Sequence, residues 1–445
     1  MSRTELPLPP GRSGLPFLGE TIPFLLNTES FVRHKLNKYG RIYKSHILGK
    51  PSVVLNGVDA MKFLAQNQGR TLISTYPKSV IELLGPNVLP NSDGPTHERA
   101  RQVIGKAFTP SAVASYSQYI EQVCVRYAQK WRTLGGEEGG GGEFEMRIYG
   151  ELLDVMLDIA YFVLIGDNMD GEQLELYSKW FGDIQGAFFS LPYSWFPPFR
   201  RAMKSRTNLV NALKDLIAKR RRLPRQGRDA LNLLIDSKAD DGTALSDDDL
   251  AAQMIMLLIA GHETSASAAT CFLMEVARRE DLRVQLVEEQ VRAMEGGDPL
   301  SVQLQSMPLL EQALQESLRL YPPASGVIRE SVCEFEHEGF RVPAGYQVLF
   351  GIFLTNRLEE LSPSGEDFCP FASQSKASQH YSFGAGPHLC IGQRLALLEL
   401  KIFLSIFLRT FDFSAVEGQD FSLTFIPMMK PKDGLLLRMK ERAAG

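Results

Sequence analysis

A long helical pattern near the middle of the chain constrains the fold more than any other feature. Ser246 is a favourable N-cap, and the three aspartates after it suit the positive end of a helix. Neither proline nor glycine interrupts the pattern before Gly261, and it then continues to about Arg279. A helix of roughly 34 residues is roughly 50 Å long. Because residues 254–260 are apolar on nearly every side, we expect this helix to cross the interior of a large core.

The other patterns predict a mainly α protein with a small β-rich region. Apolar residues make up 44% of the 445 residues and charged residues 22%, which is typical of globular proteins. We expect a single domain over residues 1–445, with strands at about 1–75 and 335–353 and helices at about 95–330 and 390–411. The segments "RIYKSHIL" and "PSVVLNG" predict a hairpin whose turn spans residues 49–51.

Charge, cysteines and hydropathy exclude several classes of protein. The net charge of -4 argues against nucleic acid as the main partner. The five cysteines lie far apart and form no Cys-x-x-Cys pair, so we predict neither disulfides nor a zinc site and expect a reducing compartment. The longest apolar runs have seven residues, whereas a membrane span needs about 20. We therefore expect a cytoplasmic protein without a membrane span, and peripheral contact with a membrane is left open.

One segment, "SFGAGPHLCIGQ", holds Cys390 among glycines just before a helical pattern. Gly386 lets the backbone turn and approach a flat molecule closely, and Phe383 is expected to shield the sulfur from water. The N-terminus of the following helix favours a thiolate. These properties suit a thiolate held against the face of a haem. A buried structural cysteine is the plainer alternative.

The spacing Phe-x-x-Gly-x-x-x-Cys-x-Gly resembles the haem-binding loop of the cytochrome P450 superfamily, and weaker similarity spans nearly the whole chain. The resemblance implies the cytochrome P450 fold, haem b (iron protoporphyrin IX) as the cofactor, and Cys390 as the metal ligand. His388 lies where that family usually carries a basic residue for a haem propionate. Taken alone, His388 is read more simply as an exposed loop histidine.

The middle of the long helix reads "AGHETS" and carries polar residues in an apolar element. Gly261 lacks a side chain and would leave room beside a cofactor. A buried carboxylate and hydroxyl at Glu263 and Thr264 would cost several kcal/mol without partners, on the order of 2–7 each. A threonine that bonds back to the carbonyl four residues earlier is the simpler interpretation. The stretch nevertheless resembles the acid–alcohol pair of the same superfamily, which implies that Glu263 and Thr264 deliver protons for dioxygen cleavage.

Further positions resemble elements that support the haem in this superfamily. Glu316 and Arg319 match its Glu-x-x-Arg helix, which has a structural role there. The third member of that network, a downstream arginine, is missing, since "DFCPFASQSKAS" (residues 367–378) contains none. His97, Arg101 and Arg329 match propionate contacts, although basic residues on a helix more often form a solvated face.

The branch of the superfamily is suggested by "GRSGLPFLGET", "LLGPNVL" and "PKDGL", which resemble bacterial, cyanobacterial-type and animal retinoic-acid hydroxylases. Plant brassinosteroid and abscisic-acid hydroxylases are relatives. Loop-like apolar segments are predicted to line a substrate pocket, although plain core packing is an equal alternative; the residues we assign to it are Tyr76, Phe188, Phe189, Ala260 and Met428. A carboxylate on the substrate would meet Lys78, Arg329 or Lys430, and the sequence does not choose among them.

The predicted function is haem-thiolate monooxygenation of a small apolar substrate by dioxygen. The substrate class implied is a retinoid, apocarotenoid, terpenoid or sterol-like isoprenoid, hydroxylated or epoxidised. The electrons are expected from a ferredoxin with its reductase, or from another external reductase, docking on a basic face that includes Arg99, Lys106 or Arg394. Two alternatives are a haem-thiolate peroxygenase or isomerase, and a haem protein that binds ligands without catalysis.

Overall fold

The structure is a computed structural model that describes residues 6–15, 18–136, 142–222, 229–371 and 380–442. Within those ranges the helices are α1 Thr21–Leu26, α2 Thr28–Tyr39, α3 Val58–Asn67, α4 Lys78–Leu84, α5 Gly94–Gly105, α6 Pro110–Arg132, α7 Ile148–Ile165, α8 Gly171–Gln185, α9 Pro197–Arg222, α10 Ala230–Ile235, α11 Asp247–Ala277, α12 Glu280–Met294, α13 Leu300–Gln303, α14 Pro308–Leu320, α15 Ile352–Thr355 and α16 Gln393–Thr410. Helices therefore dominate, which confirms the mainly α prediction.

The strands are short and form small sheets. They are β1 Ile42–Ile47, β2 Lys50–Leu55, β3 Leu72–Ser74, β4 Phe144–Arg147, β5 Gly326–Ser331, β6 Phe335–His337, β7 Phe340–Val342, β8 Gln347–Gly351, β9 Phe411–Ala415, β10 Leu423–Thr424, β11 Lys430–Pro431 and β12 Leu436–Glu441. The largest sheet has the order β1-β2-β8-β5-β3, in which β2 and β8 are parallel and the other pairs antiparallel.

The long helix predicted from residue 246 onward is α11, and it runs without a break through Gly261. Ser246 caps it by accepting a hydrogen bond of 3.1 Å from the Asp249 amide. Its N-terminal half packs into one large apolar cluster and its C-terminal half into another. The polar residues around Glu263 therefore lie where the two clusters meet, which leaves room for a cavity beside the helix.

The predicted hairpin is present, but its turn differs from the prediction. β1 pairs with β2 so that Ile47 lies opposite Lys50, and the turn consists of Leu48 and Gly49 alone. Both turn residues have positive φ, at 54° and 77°. Two-residue turns of this kind match the twist of antiparallel strands. Because the turn ends at Gly49, Pro51 falls within β2.

The sequence analysis did not predict some of the strands. β4, β9 and β12 form a three-stranded sheet that joins residues 144–147 to the C-terminal part of the chain. These strands are short, and their partners are far away in sequence, so no local pattern marks the pairing. No helix in the described part of the chain is both long and apolar enough to span a bilayer.

Candidate active site

The cysteine loop is fixed by hydrogen bonds to α14 and to the turn after α15. Ser382 Oγ donates to Leu318 O at 2.7 Å, and the Tyr381 amide donates to Asn356 Oδ1 at 2.8 Å. Inside the loop the Cys390 amide donates to Phe383 O at 2.9 Å. The loop thus holds the cysteine through its backbone, which limits the positions available to the sulfur.

Gly386 and Phe383 serve the loop itself and are not among the described residues that line the cavity at Cys390. Gly386 has φ of 70°, and a Cβ there would lie 2.6 Å from Ala65 Cα of α3. The close approach that requires glycine is therefore to protein backbone, whereas the sequence suggested approach to a flat ligand. Phe383 packs against the core cluster that contains α14 and α16, and it contributes its carbonyl to the loop.

The Cys390 side chain is exposed to an internal cavity. Burial away from bulk water raises the pKa of its thiol, and the Gly392 and Gln393 amides together with Arg101 oppose that effect. The helix N-terminus therefore acts on the sulfur as expected, but it does not overcome desolvation. A thiolate at this position needs a bound cation to complete its stabilisation.

The cavity at Cys390 has a volume of about 280 Å³ and lies between α11 and the cysteine loop. Gly261 borders it, and a Cβ on Gly261 would meet only Ala160, at 3.6 Å, so the protein itself does not demand glycine there. Predicted site residues that line this cavity are Tyr76, His97, Arg101, Ala260, Gly261, Thr264, Arg329, His388 and Cys390. A single sulfur ligand on one wall, an apolar helix on the other and a basic edge fit an anionic haem.

The basic edge is built around an acidic residue that the sequence did not reveal. His97 and His388 stack with ring centroids 4.0 Å apart, and His388 Nε2 lies 3.2 Å from Asp93 Oδ1. Asp93 also accepts from the Ser74 amide at 2.5 Å and from the Gln68 side chain. Arg329 Nε in turn donates to Gln68 Oε1.

The pKa values at this edge show how the charges are balanced. Burial, helped by the charges of His388 and Arg101, lowers the pKa of His97 to about 4, so this ring is neutral at pH 7. Burial opposes ionisation of Asp93, but hydrogen bonds from His388, Ser74 and Gln68 prevail and lower its pKa to about 2. Neither Asp93 nor Gln68 belongs to a recognisable sequence motif. The only local signal is the pair "SD", which contains Asp93 and stands just before a helix start, as a helix cap would.

The acid and alcohol of α11 both have protein partners. Thr264 Oγ1 donates to Ala260 O at 2.6 Å, the simpler interpretation, yet Thr264 also borders the cavity at Cys390. Glu263 is buried and accepts a hydrogen bond of 3.4 Å from Tyr149 Oη. Burial raises the pKa of Glu263, and the nearby Lys430 and Tyr149 oppose that effect. The pair therefore combines a carboxyl that holds its proton more readily than usual with a hydroxyl facing the cavity.

A second buried carboxyl, Glu399 on α16, lies on the cysteine side of the same cavity. Ser265 Oγ of α11 donates to Glu399 Oε1, and complete burial raises the pKa of Glu399 to about 8. This contact joins α11 to α16, the helix that follows the cysteine. Sequence reasoning assigned neither residue to the site, since a single Ser in one helix and a single Glu in another carry no distinctive signal.

The buried pair of Glu316 and Arg319 forms a two-pronged ion pair at 2.7 and 2.8 Å. Both residues are almost fully buried, and Arg319 also donates to the carbonyls of Asn356, Gly365 and Asp367. The Cys369 amide donates to Glu316 Oε1 at 3.0 Å. Backbone groups of residues 365–369 therefore complete the network without the missing arginine. Of the stretch in which the sequence lacks that arginine, residues 372–378 lie outside the described residues.

A larger cavity of about 420 Å³ adjoins the first, and the two share Tyr76, Pro90, Met256, Ala260, Thr264 and Val327 in their walls. All of the predicted substrate residues line it, namely Tyr76, Phe188, Phe189, Ala260 and Met428. Of the cations proposed to meet a carboxylate, Arg329 lines the cavity at Cys390, and neither Lys78 nor Lys430 lines either cavity. The two cavities together make an apolar chamber that ends at the cysteine.

Comparison with known proteins agrees with this geometry. The Cytochrome P450 family profile matches residues 9–439. The chain belongs to the cytochrome P450 family. It is 32% identical to "Putative cytochrome P450 120" of Synechocystis sp. over 98% of this chain and 97% of that protein. It is 31% identical to "Cytochrome P450 26A1" of Gallus gallus (97% and 89%) and 28% to "Abscisic acid 8'-hydroxylase 2" of Arabidopsis thaliana (98% and 90%).

A solved structure supports the same family. Retinoic-acid-bound cyanobacterial CYP120A1 superposes with a TM-score of 0.89 at 30% identity, over 99% of this chain and 100% of that one. This P450 therefore has the P450 fold, a haem-thiolate cofactor and monooxygenase activity. The cavity beside Cys390, with its basic edge, provides the space and the ligand that such a cofactor needs.

Proposed function

We propose that this P450 inserts one atom of dioxygen into an apolar isoprenoid-like substrate, such as a retinoid, apocarotenoid, terpenoid or sterol-like molecule, by hydroxylation or epoxidation. The observation that supports this substrate class most strongly is the larger cavity. Its walls are mostly aromatic and aliphatic, and it opens into the cavity at Cys390. Apolar pockets of this kind bind ligands mainly by excluding water.

We assign roles to the residues of the chamber on the same basis. Bound haem supplies the activation of dioxygen. Cys390 would ligate the iron, while Arg101, Arg329, His97 and His388 would hold the propionates. Thr264 would offer its hydroxyl at the cavity wall, and the buried Glu263 carboxyl, whose pKa is raised by burial, would relay protons to it. Glu316 and Arg319 stabilise the helix α14, to which the cysteine loop is bound.

The electrons come from an external partner, which we propose to be a ferredoxin in the cytoplasm. Three basic residues were assigned to the docking face. In the structure Arg99 Nη1 lies 3.7 Å from Asp241 Oδ2, Lys106 Nζ donates to Lys238 O at 2.8 Å, and Arg394 is exposed. Exposed cations of this kind raise the rate of encounter with an acidic protein, more so at low salt.

The proposal is tested by titrating the haem-loaded protein with retinoids, apocarotenoids, terpenoids and sterols while recording its absorption spectrum. We expect at least one of these classes to displace water from the iron and shift the spin state. A ferredoxin system with NADPH and dioxygen should then give a product that is heavier by one oxygen atom. A protein that binds carbon monoxide as a thiolate haem but responds to none of these compounds would contradict the proposed substrate class.

A further inference from the structure

None of the described residues that line the larger cavity is a lysine or an arginine. Among the described residues that line it, the only Asp, Glu, Lys or Arg is Glu263, an acid. A substrate carboxylate bound there would lose its hydration without gaining an opposite charge, which is unfavourable. The larger cavity thus selects against anions, and this inference rests on the proposed function of that cavity as the substrate site.

Four of the cations near the cavity have partners elsewhere. Lys35 is buried and lies 2.6 Å from Glu20, and Lys78 faces Glu82 at 3.6 Å on the surface. Arg33 and Arg357 contact the ring of Phe353, and both pair with Glu366. Recruiting any of them for a substrate anion would break an existing ion pair.

Helix termini do not supply the missing positive charge either. The first turn of α2 borders the cavity through Thr28 and Phe31. Its amides are already served by Asn27, whose side chain accepts from the Ser30 amide at 3.0 Å, and Glu29 adds a negative charge. The other helices that begin at the cavity wall, α4 and α15, have only seven and four residues.

The wall formed by β1 and β2 instead carries two uncharged polar groups without partners. Tyr43 Oη and Asn56 Oδ1 are both buried, and neither makes a hydrogen bond among the described residues. Tyr43 lies opposite Val54 in the hairpin, so Asn56, two residues further on, is on the same face. Tyr43, Val54 and Asn56 all belong to the cavity wall, where both oxygens are almost fully covered, so a ligand reaches them by displacing adjoining side chains.

These two groups complement a neutral oxygen function. A phenol both donates and accepts, and an amide oxygen accepts, so a hydroxyl group can bond to both. Burial raises the pKa of Tyr43 and the charge of Glu20 raises it further, which keeps the phenol protonated as a donor. Neither residue lines the cavity at Cys390, so the bound polar group would lie away from the site of oxidation.

We propose that this P450 acts on an uncharged, elongated isoprenoid that carries a hydroxyl or carbonyl group, and that Tyr43 and Asn56 bind that group. The corresponding carboxylic acid is a poor ligand. The apolar remainder extends along Phe188 and Met256 towards Ala260 and Thr264, where the oxidised carbon lies.

The test compares ligands that share one carbon skeleton. The haem-loaded full chain is titrated with all-trans retinol, retinal, retinoic acid and the parent hydrocarbon, and dissociation constants are read from the spin-state shift. We expect retinol and retinal to bind at least about tenfold more tightly than retinoic acid at neutral pH. Binding of the acid should strengthen as the pH falls towards the pKa of a carboxylic acid, because the neutral form enters the cavity.

The variant Tyr43→Phe isolates the polar contact. It should weaken binding of retinol about fivefold or more, through loss of one buried hydrogen bond, and leave binding of the parent hydrocarbon unchanged. Tyr193→Phe is the matched control, since Tyr193 is half-exposed and does not line the cavity. The carbon monoxide spectrum of each variant shows whether the haem site is intact.

Three results would overturn the inference in distinguishable ways. Retinoic acid binding as tightly as retinol would show that the cavity accepts an anion. Equal losses for retinol and the hydrocarbon in Tyr43→Phe would exclude a hydrogen bond at that residue. No spectral response to any of the four ligands, with an intact carbon monoxide spectrum, would contradict the proposed isoprenoid function itself and the inference with it.

Discussion

The cysteine side of the chamber and the substrate side are built in different ways. Around Cys390 the loop is held by a hydrogen bond within its own backbone and by one from the Ser382 hydroxyl to the backbone of α14, the helix that carries the buried ion pair of Glu316 and Arg319. The larger cavity is instead walled by single apolar side chains from many separate elements. Directional bonds fix the first region, whereas the second is defined mainly by shape and by exclusion of water. The first should therefore fail abruptly on mutation and the second gradually.

Among the substitutions that test this contrast, replacing Cys390 by alanine should have the largest effect. Without the sulfur the cavity offers no thiolate to the iron, so the carbon monoxide complex should lose the Soret band typical of sulfur-ligated haem completely. Cys369→Ala is the control, because Cys369 does not line either cavity and contributes its backbone amide to Glu316. Persistence of the band in Cys390→Ala would refute the ligand assignment.

The next largest effect is expected from Glu316→Gln. This change leaves the buried guanidinium of Arg319 without its counter-charge, which should lower the free energy of unfolding by about 3–5 kcal/mol. Urea denaturation followed by circular dichroism measures it. Glu145→Gln removes one partner of an exposed pair with Arg438, and should change stability by less than about 1 kcal/mol. Equal effects of the two changes would mean that backbone groups alone support the loop.

Much of the cysteine side was predictable because its chemistry is local in sequence. The spacing around Cys390, the polar pair in α11 and the Glu-x-x-Arg helix each occupy a few consecutive residues. The structure brings the first two to one chamber and buries the ion pair of the third in the helix that binds the cysteine loop. The bounds of α11 were also predicted to within about two residues, because its cap and its apolar pattern agree.

The parts that could not be predicted depend on contacts between distant segments. Asp93 and Gln68 meet His388 and Arg329 only after the fold brings residues 68–93 against 329–388. Ser265 and Glu399 are likewise far apart in the chain. Tyr43 and Asn56 look like ordinary strand residues, and their unpartnered oxygens become visible only when the cavity wall is assembled. Long-range pairing of this kind leaves no periodicity in a single sequence.

Glu399 gives a pH test of the contact between the two sides. Its pKa rises from an ordinary 4.5 to about 8 on folding, so between those values the folded protein holds a proton that the unfolded chain has lost. Stability should therefore fall as the pH rises from about 5 to 8, by on the order of a few kcal/mol. Glu399→Gln should flatten this slope in urea titrations at several pH values, whereas Glu145→Gln should not. An unchanged slope in Glu399→Gln would assign the pH dependence to other groups.

Thr264→Ala tests the region where the two sides meet. Loss of the hydroxyl should reduce product formed per NADPH by about 10²-fold, since proton delivery contributes factors of this size, while substrate binding stays near the wild-type level. Thr270→Ala is a close control, because Thr270 makes the same bond to the carbonyl four residues earlier, at 2.7 Å, but lines neither cavity. If both variants lose the same fraction of activity, the hydroxyl matters only for the helix.

The smallest effect is expected on the substrate side, from Phe188→Ala. Removing one aromatic wall should weaken binding of an apolar ligand by about tenfold, because roughly 1–2 kcal/mol of buried apolar contact is lost. The carbon monoxide spectrum and the unfolding midpoint should change little, since neighbouring side chains of an apolar wall can rearrange. Leu191→Ala, at an exposed residue outside the cavity, should alter neither ligand binding nor the spectrum nor the unfolding midpoint. If Phe188→Ala abolished binding altogether, the wall would be as rigid as the cysteine loop, and the contrast between the two regions would not hold.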